Sequence, residues 1–159
     1  MDSNKKKIRY VVYSGVIAAL YVVLTLPAAQ FAYGPVQFRL AEVLTILPAY
    51  AFGYIPGVSI GCFLANLLNP NNLGPVDIIC GSLATLIGAI GTRMLKSNKY
   101  LSVIPPVAAN TIIIPLLLYY AYGIRPLWLS FITVFAGEII SAGVLGILLY
   151  NTLVKHVHF

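Results

Sequence analysis

The chain has 159 residues, of which 60% are hydrophobic and only 9% are charged. Soluble globular domains carry roughly 25% charged residues, so this composition excludes an ordinary soluble protein. The formal net charge of +6 comes from basic residues that flank apolar runs. It therefore indicates membrane topology and gives no reason to expect a nucleic-acid partner. We predict an all-α, polytopic integral membrane protein with a single membrane domain over residues 1–159.

The apolar runs predict six transmembrane helices. A span needs about 20 residues, or ~30 Å of helix, which leaves no room for a soluble domain. The second and third helices share one run, which we divide at the turn-forming residues Gly53, Pro56 and Gly57. The basic segment 1–9 precedes a first helix that we expect to be retained and not cleaved as a signal. The six helices are expected near residues 10–29, 39–53, 56–70, 77–95, 100–122 and 127–152.

The basic residues predict the orientation of these helices. Positive charge concentrates on the cytoplasmic side of membrane proteins. With a cytoplasmic N-terminus only Arg39 and Arg125 lie outside. We therefore expect a multi-pass protein of the plasma membrane with both termini in the cytoplasm. The residues expected on the cytoplasmic side are Lys5, Lys6, Lys7, Arg9, Arg93, Lys96, Lys99 and Lys155.

Three acidic residues, Glu42, Asp77 and Glu138, lie in or at the ends of predicted spans. An ionised carboxylate in mid-membrane costs roughly 2.5–3.5 kcal/mol on insertion scales, so each is a candidate functional residue. Each also has a structural alternative. Glu42 is one turn from Arg39 and would form a self-contained ion pair with it. Asp77 follows Gly74-Pro75 and would cap the fourth helix, and Glu138 would hydrogen-bond to a neighbouring helix.

Amide side chains extend this polar set. Asn66 lies on one face of the third helix with Cys62, and Asn110 lies in an otherwise apolar fifth helix. Together with Arg39 and the acids, they predict an outward-facing cavity in which acceptors exceed donors. Such a site suits a cation or a planar heterocycle rich in N–H donors. Residues 30–38 are predicted to form an extracellular cap over it, with Gln37 as a binding residue and three aromatic rings, Phe31, Tyr33 and Phe38.

Several motifs are missing from the sequence. It has no GxxxxGK[ST] phosphate loop, no HExxH and no Ser, His and acid set within the spans. We therefore expect no catalytic residue, no metal and no cofactor in this chain, and any ATP hydrolysis belongs to partner subunits. Cys62 and Cys80 are interpreted as inert thiols, and His156 and His158 as solvent-facing.

Four segments carry a resemblance to a known family. They are QFRLAEVLTILP at 37–48, GCFLANLLNP at 61–70, DIICGSLATLIGA at 77–89 and Glu138 in the last helix. Together they resemble the QueT family, whose members are substrate-binding subunits (S components) of energy-coupling-factor (ECF) transporters assigned to queuosine precursors. The resemblance covers most of the chain, from the first helix to the sixth.

The resemblance implies a six-helix S-component bundle that captures a 7-deazaguanine from outside, such as 7-aminomethyl-7-deazaguanine or queuine. Its partners would be the ECF module, a membrane coupling protein with two ATPase subunits that hydrolyse ATP. S components carry small residues on the first helix for docking, often as AxxxA. The match here is partial, through Ser14 with Ala18 and Gly15 with Ala19, and intramolecular helix packing is the alternative.

Other functions remain open from the residues alone. A proton-coupled secondary carrier would use Glu42 or Glu138 as its relay, although six helices without an evident inverted repeat would need a dimer. An S component for another cationic or donor-rich vitamin, such as thiamine, also fits the acceptor-rich site. An intramembrane enzyme ranks lowest, because no nucleophile and base stand at useful spacing.

Overall fold

The computed structural model describes residues 3–27, 39–69 and 74–156, and within these ranges the secondary structure is helical, without a strand. Six helical segments, α1 to α6, follow one another along the chain. The last one, α6, consists of three consecutive pieces. The segments are α1 (Ser3–Thr25), α2 (Leu40–Ala49, a 3₁₀ helix), α3 (Tyr54–Leu68), α4 (Pro75–Met94), α5 (Ile104–Tyr122, after a one-turn helix at Lys99–Ser102) and α6 (α-helix Leu127–Glu138, π-helix Ile139–Leu145, α-helix Gly146–His156).

Four stretches of helix are long and apolar enough to cross a membrane, and α2 and α3 are shorter. The prediction of an all-α membrane protein with six helices is thereby confirmed. The boundaries differ most at α1, which begins at Ser3 and not near residue 10. Lysine and arginine are good helix formers, so the basic segment continues the apolar helix. The long stretches are Lys7–Thr25, Pro75–Met94, Lys99–Tyr122 and Leu127–Lys155.

The second helix, α2, is a 3₁₀ helix of 10 residues where a span over 39–53 was predicted. At a rise of about 2.0 Å per residue it is roughly 20 Å long, less than the ~30 Å hydrocarbon layer. Pro48 lies inside it and has no N–H to donate, which weakens a regular α-helical ladder. The helix is packed between α1, α3, α4 and α6. Non-α backbone at membrane depth is tolerated when protein surrounds it, as here.

Helices α1 and α3 pack with their backbones in close approach at two glycines of α3. A Cβ on Gly61 would lie 2.6 Å from Cβ of Tyr21 and 3.0 Å from Cα of Ala18. A Cβ on Gly57 would lie 3.0 Å from Cβ of Ile17. The small-residue spacing on α3 therefore serves its contact with α1, which we call the α1–α3 interface.

Helix α4 packs in a similar way on α5. A Cβ on Gly88 would lie 2.6 Å from Cα of Pro106, so no side chain fits between these backbones. Gly81 and Gly88 lie on the same face of α4 as Asp77, and neither leaves open space there. Pro106 fills the space at Gly88, and the side chains of Asn66 and Arg39 fill it at Gly81.

The first and last helices meet α2 at the same end of the bundle, which we call the Tyr50 end. The ring of Tyr50 stacks on Tyr150 of α6 with centroids 4.8 Å apart. Tyr10 of α1 packs against Gly53, which follows Tyr50 by three residues.

Two basic side chains also lie at the Tyr50 end. Arg93 Nη1 donates to the carbonyl of Ala49 at 3.0 Å, and Lys99 Nζ donates to Asn151 Oδ1 at 2.6 Å. The opposite end, where α2 begins, is the Arg39 end.

Candidate binding site inside the helix bundle

Arg39 joins α2, α3 and α4 at the start of α2, where only 4% of its surface is exposed. Its Nη2 donates to Asn66 Oδ1 at 3.3 Å, and its Nη1 lies 3.9 Å from Cys62 Sγ. A Cβ on Gly81 would lie 2.9 Å from Asn66 Nδ2 and 3.6 Å from both terminal nitrogens of Arg39. The absence of a side chain at position 81 thus makes room for a buried guanidinium and an amide.

Glu42 is fully buried one 3₁₀ turn beyond Arg39. Arg39 is the N-cap residue of α2, with extended backbone, and Glu42 lies in the first turn of the helix. The hydroxyl of Tyr21 in α1 donates to Glu42 Oε1, and Arg39, Asn110 and Thr85 lie within electrostatic range of the carboxylate. Because Arg39 and Glu42 each contact other helices, they are not a self-contained pair.

Glu138 lies near the middle of α6 and is 4% exposed. Its partner is Asn110 of α5, whose Nδ2 donates to Glu138 Oε1 at 3.0 Å. Glu42 and Arg39 lie within electrostatic range of it. The sequence showed no partner for Glu138 on its own helix, and the structure supplies one from α5 and places a second carboxylate nearby.

The backbone of α6 changes directly after Glu138. The α-helix ends at Glu138, and a π-helix of 7 residues, Ile139–Leu145, follows. Single π-helical turns inside α-helices occur often at functional sites, because the wider turn re-aims the side chains beside it. Ser141 remains tied to α6 through a hydrogen bond of 2.8 Å from its Oγ to the carbonyl of Gly137. The irregular turn therefore adjoins the buried carboxylate.

Three buried acceptor atoms converge in this region: Glu42 Oε2, Glu138 Oε2 and Asn110 Oδ1. None of them has a hydrogen-bond partner within the described parts of the chain. We call Arg39, Glu42, Asn66, Asn110 and Glu138 the polar centre. Buried polar atoms are nearly always paired, so unpaired acceptors in a centre with one cation indicate a site for a molecule that brings donors. Within the described ranges, no three His, Cys, Asp or Glu side chains form a group that could hold a metal ion.

Asp77 is buried at the Arg39 end, but the interpretation that it caps α4 is wrong. Gly74 occupies the cap position, with φ of 123° and no side-chain capping hydrogen bond. Asp77 is the third helical residue, and its backbone N–H donates to the hydroxyl of Tyr122 at 3.2 Å. A negative charge in the first turn of a helix favours the helix dipole. Asp77 lies one turn from Gly81 on the same face of α4, and its predicted binding role stays a prediction.

The capping loop cannot be placed, because Phe31, Tyr33, Gln37 and Phe38 lie outside the described residues. The cap therefore stays a prediction from the sequence.

The predicted docking residues of α1 divide into two pairs. Ala18 is buried against Gly61, and Ser14 is half-buried and donates to the carbonyl of Gly53. Gly15 and Ala19 are exposed. Intramolecular packing, the alternative drawn from the sequence, therefore describes Ser14 and Ala18, and the exposed pair stays available to a partner.

Three residues that were not predicted as site residues contact the polar centre. Tyr21 gave no signal, because it is one of 11 tyrosines and lies in an apolar helix. Thr85 lies two turns from Asp77 on the same face of α4, which was a usable signal. Its Oγ1 donates to Cys62 Sγ at 3.2 Å. Cys62 precedes Asn66 by one turn and packs beside Arg39 in the same cluster. Its interpretation as an inert thiol stays a prediction.

Comparison with known proteins identifies the family. A family model described as QueT transporter matches residues 11–155. The chain belongs to the QueT transporter family. The resemblance that rests on the segments at 37–48, 61–70 and 77–89 is thereby confirmed, and the chain is a membrane protein of a transporter family.

One curated relative is the Queuosine precursor transporter QueT of Lactococcus lactis subsp. cremoris (strain MG1363), which is 39% identical over 86 residues. The alignment covers 53% of this chain and 49% of the relative, so the match spans about half the length of each protein. No solved structure matches the chain.

Proposed function

We propose that this chain is the substrate-binding subunit of an ATP-driven importer of the ECF type, and that it has no catalytic activity of its own. Its ligand is a queuosine precursor, a 7-deazaguanine base such as 7-aminomethyl-7-deazaguanine or queuine, captured from outside the cell. Membership of the QueT transporter family and the name of the Lactococcus lactis relative support this assignment.

The observation that carries the proposal is the polar centre inside an apolar bundle. Burial of charges in a membrane protein is costly, and a buried ion pair is weak evidence for stability, since packed apolar residues often serve as well. Here Arg39, Glu42 and Glu138 are all at most 4% exposed, and both carboxylates retain an oxygen without a partner within the described ranges. Their presence is explained when a ligand supplies the missing donors.

The chemistry of a 7-deazaguanine complements this centre. Its ring edge presents N1–H and an exocyclic amine as donors, and the flat ring suits a site bounded by apolar surface. The aminomethyl derivative adds a positive charge. Arg39 contributes one positive charge against the two carboxylates of Glu42 and Glu138, so the centre favours a donor-rich or cationic ligand.

The proposal also includes an orientation in the membrane and a set of partner subunits. We place the Tyr50 end, with Arg93 and Lys99, in the cytoplasm, because positive charge marks that side. The sequence has no phosphate-binding loop, so the ATP is hydrolysed by the two ATPase subunits of an ECF module. The membrane coupling protein of that module would dock on a groove of about 600 Å³ between α1 and α3. The exposed Gly15, Phe52 and Ile60 lie in its lining, next to Ser14 and Ala18, which are engaged in the packing of α1 on α3.

A binding titration of the purified protein tests the proposal. The ligands are queuine, its aminomethyl precursor, its nitrile precursor and guanine, with adenine as the control that lacks the guanine donor edge. We expect saturable binding of the queuosine precursors, tightest for the cationic aminomethyl compound, and none of adenine. Absence of binding by every queuosine precursor would contradict the proposal.

A proton-coupled carrier is the second candidate, and the proximity of Glu42 to Glu138 favours it, because paired carboxylates serve as proton relays in membrane transporters. Reconstitution in liposomes separates the two functions. Under the ECF proposal, a radiolabelled precursor accumulates only when the coupling protein, the ATPases and ATP are present. Accumulation by this chain alone under a proton gradient would establish the carrier instead.

A further inference from the structure

The unpaired acceptors of the polar centre come from three different helices. Glu42 is in α2, Asn110 in α5 and Glu138 in α6. Each carboxylate has one oxygen that already accepts a hydrogen bond from the protein, from Tyr21 at Glu42 and from Asn110 at Glu138. The other oxygen of each carboxylate, and the amide oxygen of Asn110, have no partner in the described part of the chain. Within the described residues, these three oxygen atoms are the acceptors that remain for the donors of a ligand.

Such a set discriminates against ligands that lack donors. A ligand that leaves a buried acceptor without a donor loses binding free energy equal to the desolvation penalty of that acceptor. A ligand substituent that contacts no protein group changes the affinity little. Sites that hydrogen-bond a polar group of the correct substrate reject analogues without that group more strongly than apolar pockets reject a missing methylene. The ring edge that carries N–H donors is therefore the part of the ligand that this centre can select.

We propose that Glu42, Asn110 and Glu138 together accept the hydrogen bonds of the aminopyrimidinone edge of the base. Among the donors of that edge, the exocyclic amine is the group that determines specificity. Tyr21 is a positioning residue for Glu42. This inference rests on the proposed function, because it presumes a 7-deazaguanine ligand. It goes further in naming the part of the ligand that is recognised and the residue that fixes one of the acceptors.

Tyr21 is suited to a positioning role by its packing. It is 1% exposed, and its Cβ lies against Gly61 at the α1–α3 interface, so neighbouring backbone confines the ring. Its hydroxyl donates to Oε1 of Glu42 and so fixes the side chain with Oε2 as the unpaired oxygen. Acceptors held in place before binding cost less ordering entropy on association.

The first test compares two rings in the unmodified protein, so it does not depend on the folding of a variant. 7-Deazaguanine and 7-deazahypoxanthine differ only in the exocyclic amine. We expect the ring without the amine to bind roughly tenfold to hundredfold more weakly, the range that corresponds to one unpaired buried acceptor. Equal affinities would overturn the inference and leave the proposed function intact, whereas failure of both rings and of every queuosine precursor would overturn both.

The second test addresses Tyr21 with a matched control at the other end of the bundle. Tyr21→Phe removes the hydroxyl that contacts Glu42, and Tyr50→Phe removes a hydroxyl that donates to the carbonyl of Tyr150 at 2.7 Å. We expect Tyr21→Phe to weaken binding of 7-deazaguanine about tenfold. The ratio of the affinities for 7-deazaguanine and 7-deazahypoxanthine should also become smaller. Tyr50→Phe should leave both affinities unchanged. If Tyr21→Phe lowers the melting temperature but keeps the ratio of the two affinities, the positioning role is wrong.

Discussion

The α1–α3 interface and the polar centre meet at Tyr21, yet they are built in opposite ways. At the interface the glycines of α3 let two backbones touch, and the Cβ of Tyr21 belongs to this contact. In the polar centre the same residue offers its hydroxyl to Glu42, beside acceptors that have no partner in the described chain. The first region is held by close packing of backbone and apolar atoms, and the second leaves polar atoms without a partner in the described residues.

This difference separates stability from binding. Close packing between helices is a main source of stability in membrane proteins, where lipid is as apolar as the helix surface. Unpaired buried acceptors reduce stability, so they persist where a ligand uses them. Substitutions in the two regions should consequently affect different measurements, melting temperature for the interface and ligand affinity for the centre.

The largest effect is expected from Glu138→Gln in the polar centre. The substitution keeps the size of the side chain but removes a negative charge and one acceptor, and we expect a loss of roughly 2–5 kcal/mol of binding free energy. Calorimetric titration with the aminomethyl precursor measures it. The melting temperature should hold or rise, since a costly buried charge is gone.

Ser130→Ala serves as the matched control for Glu138→Gln. Ser130 is buried in the same helix two turns earlier, and it is not part of the polar centre. Its replacement should leave affinity unchanged. If Glu138→Gln instead reduced the yield of folded protein while the surviving fraction bound normally, Glu138 would be a packing residue.

The next effect concerns the α1–α3 interface. Gly61→Ala places a Cβ 2.6 Å from the Cβ of Tyr21 and 3.0 Å from the backbone of Ala18, so the two helices must separate. Overpacking of this kind costs about 1–3 kcal/mol, which a thermal melt in detergent detects. Gly15→Ala is the control on α1, where a Cβ meets nothing within 4 Å. It should hold or raise the melting temperature, because alanine favours helix more than glycine does. A lower melting temperature for both variants would show that the close contact at Gly61 is not the cause of the destabilisation.

The smallest effect is expected at Gly81 of α4, and Gly88 of the same helix, which packs closely on α5, is the comparison. Gly81→Ala would push against the amide of Asn66 at 2.9 Å, the end of a side chain that can move. It should displace the hydrogen bond between Asn66 and Arg39 and weaken ligand binding by about 1 kcal/mol, with little change in melting temperature.

In Gly88→Ala the new Cβ meets the backbone of Pro106 at 2.6 Å, so this variant should lose stability and keep its affinity in the folded fraction. If Gly81→Ala lost stability and kept its affinity while Gly88→Ala lost affinity and kept its stability, the proposed location of the site would be wrong.

Most of the polar centre could be predicted from the sequence, because a charged or amide side chain in an apolar run is costly without a partner or a ligand. Arg39, Glu42, Asn66, Asn110 and Glu138 were all chosen on that ground, and they converge. For Asp77 only the alternative role of helix cap was wrong, because the cap position depends on the backbone of Gly74, whose φ of 123° no periodicity reveals.

The partners within the centre could not be predicted in the same way. Tyr21 and Glu42 are 21 positions apart, and Asn110 and Glu138 are 28 apart. Nothing local distinguishes Tyr21 from the other tyrosines of the chain, since its role depends on how α1 packs against α2 and α3. Gly81 shows the same limit, because its small size matters only after Arg39 and Asn66 have been brought against it.

The sequence by itself determined that this is a membrane protein of six helices, which helices carry the buried polar residues and which family it belongs to. These properties follow from the local cost of placing each side chain in hydrocarbon and from short motifs. Only the tertiary structure decided that α2 is a buried 3₁₀ helix, that a π-helix follows Glu138, and which oxygen of each carboxylate is already occupied. The choice between i+3, i+4 and i+5 hydrogen bonds involves small energy differences, and contacts between helices settle it.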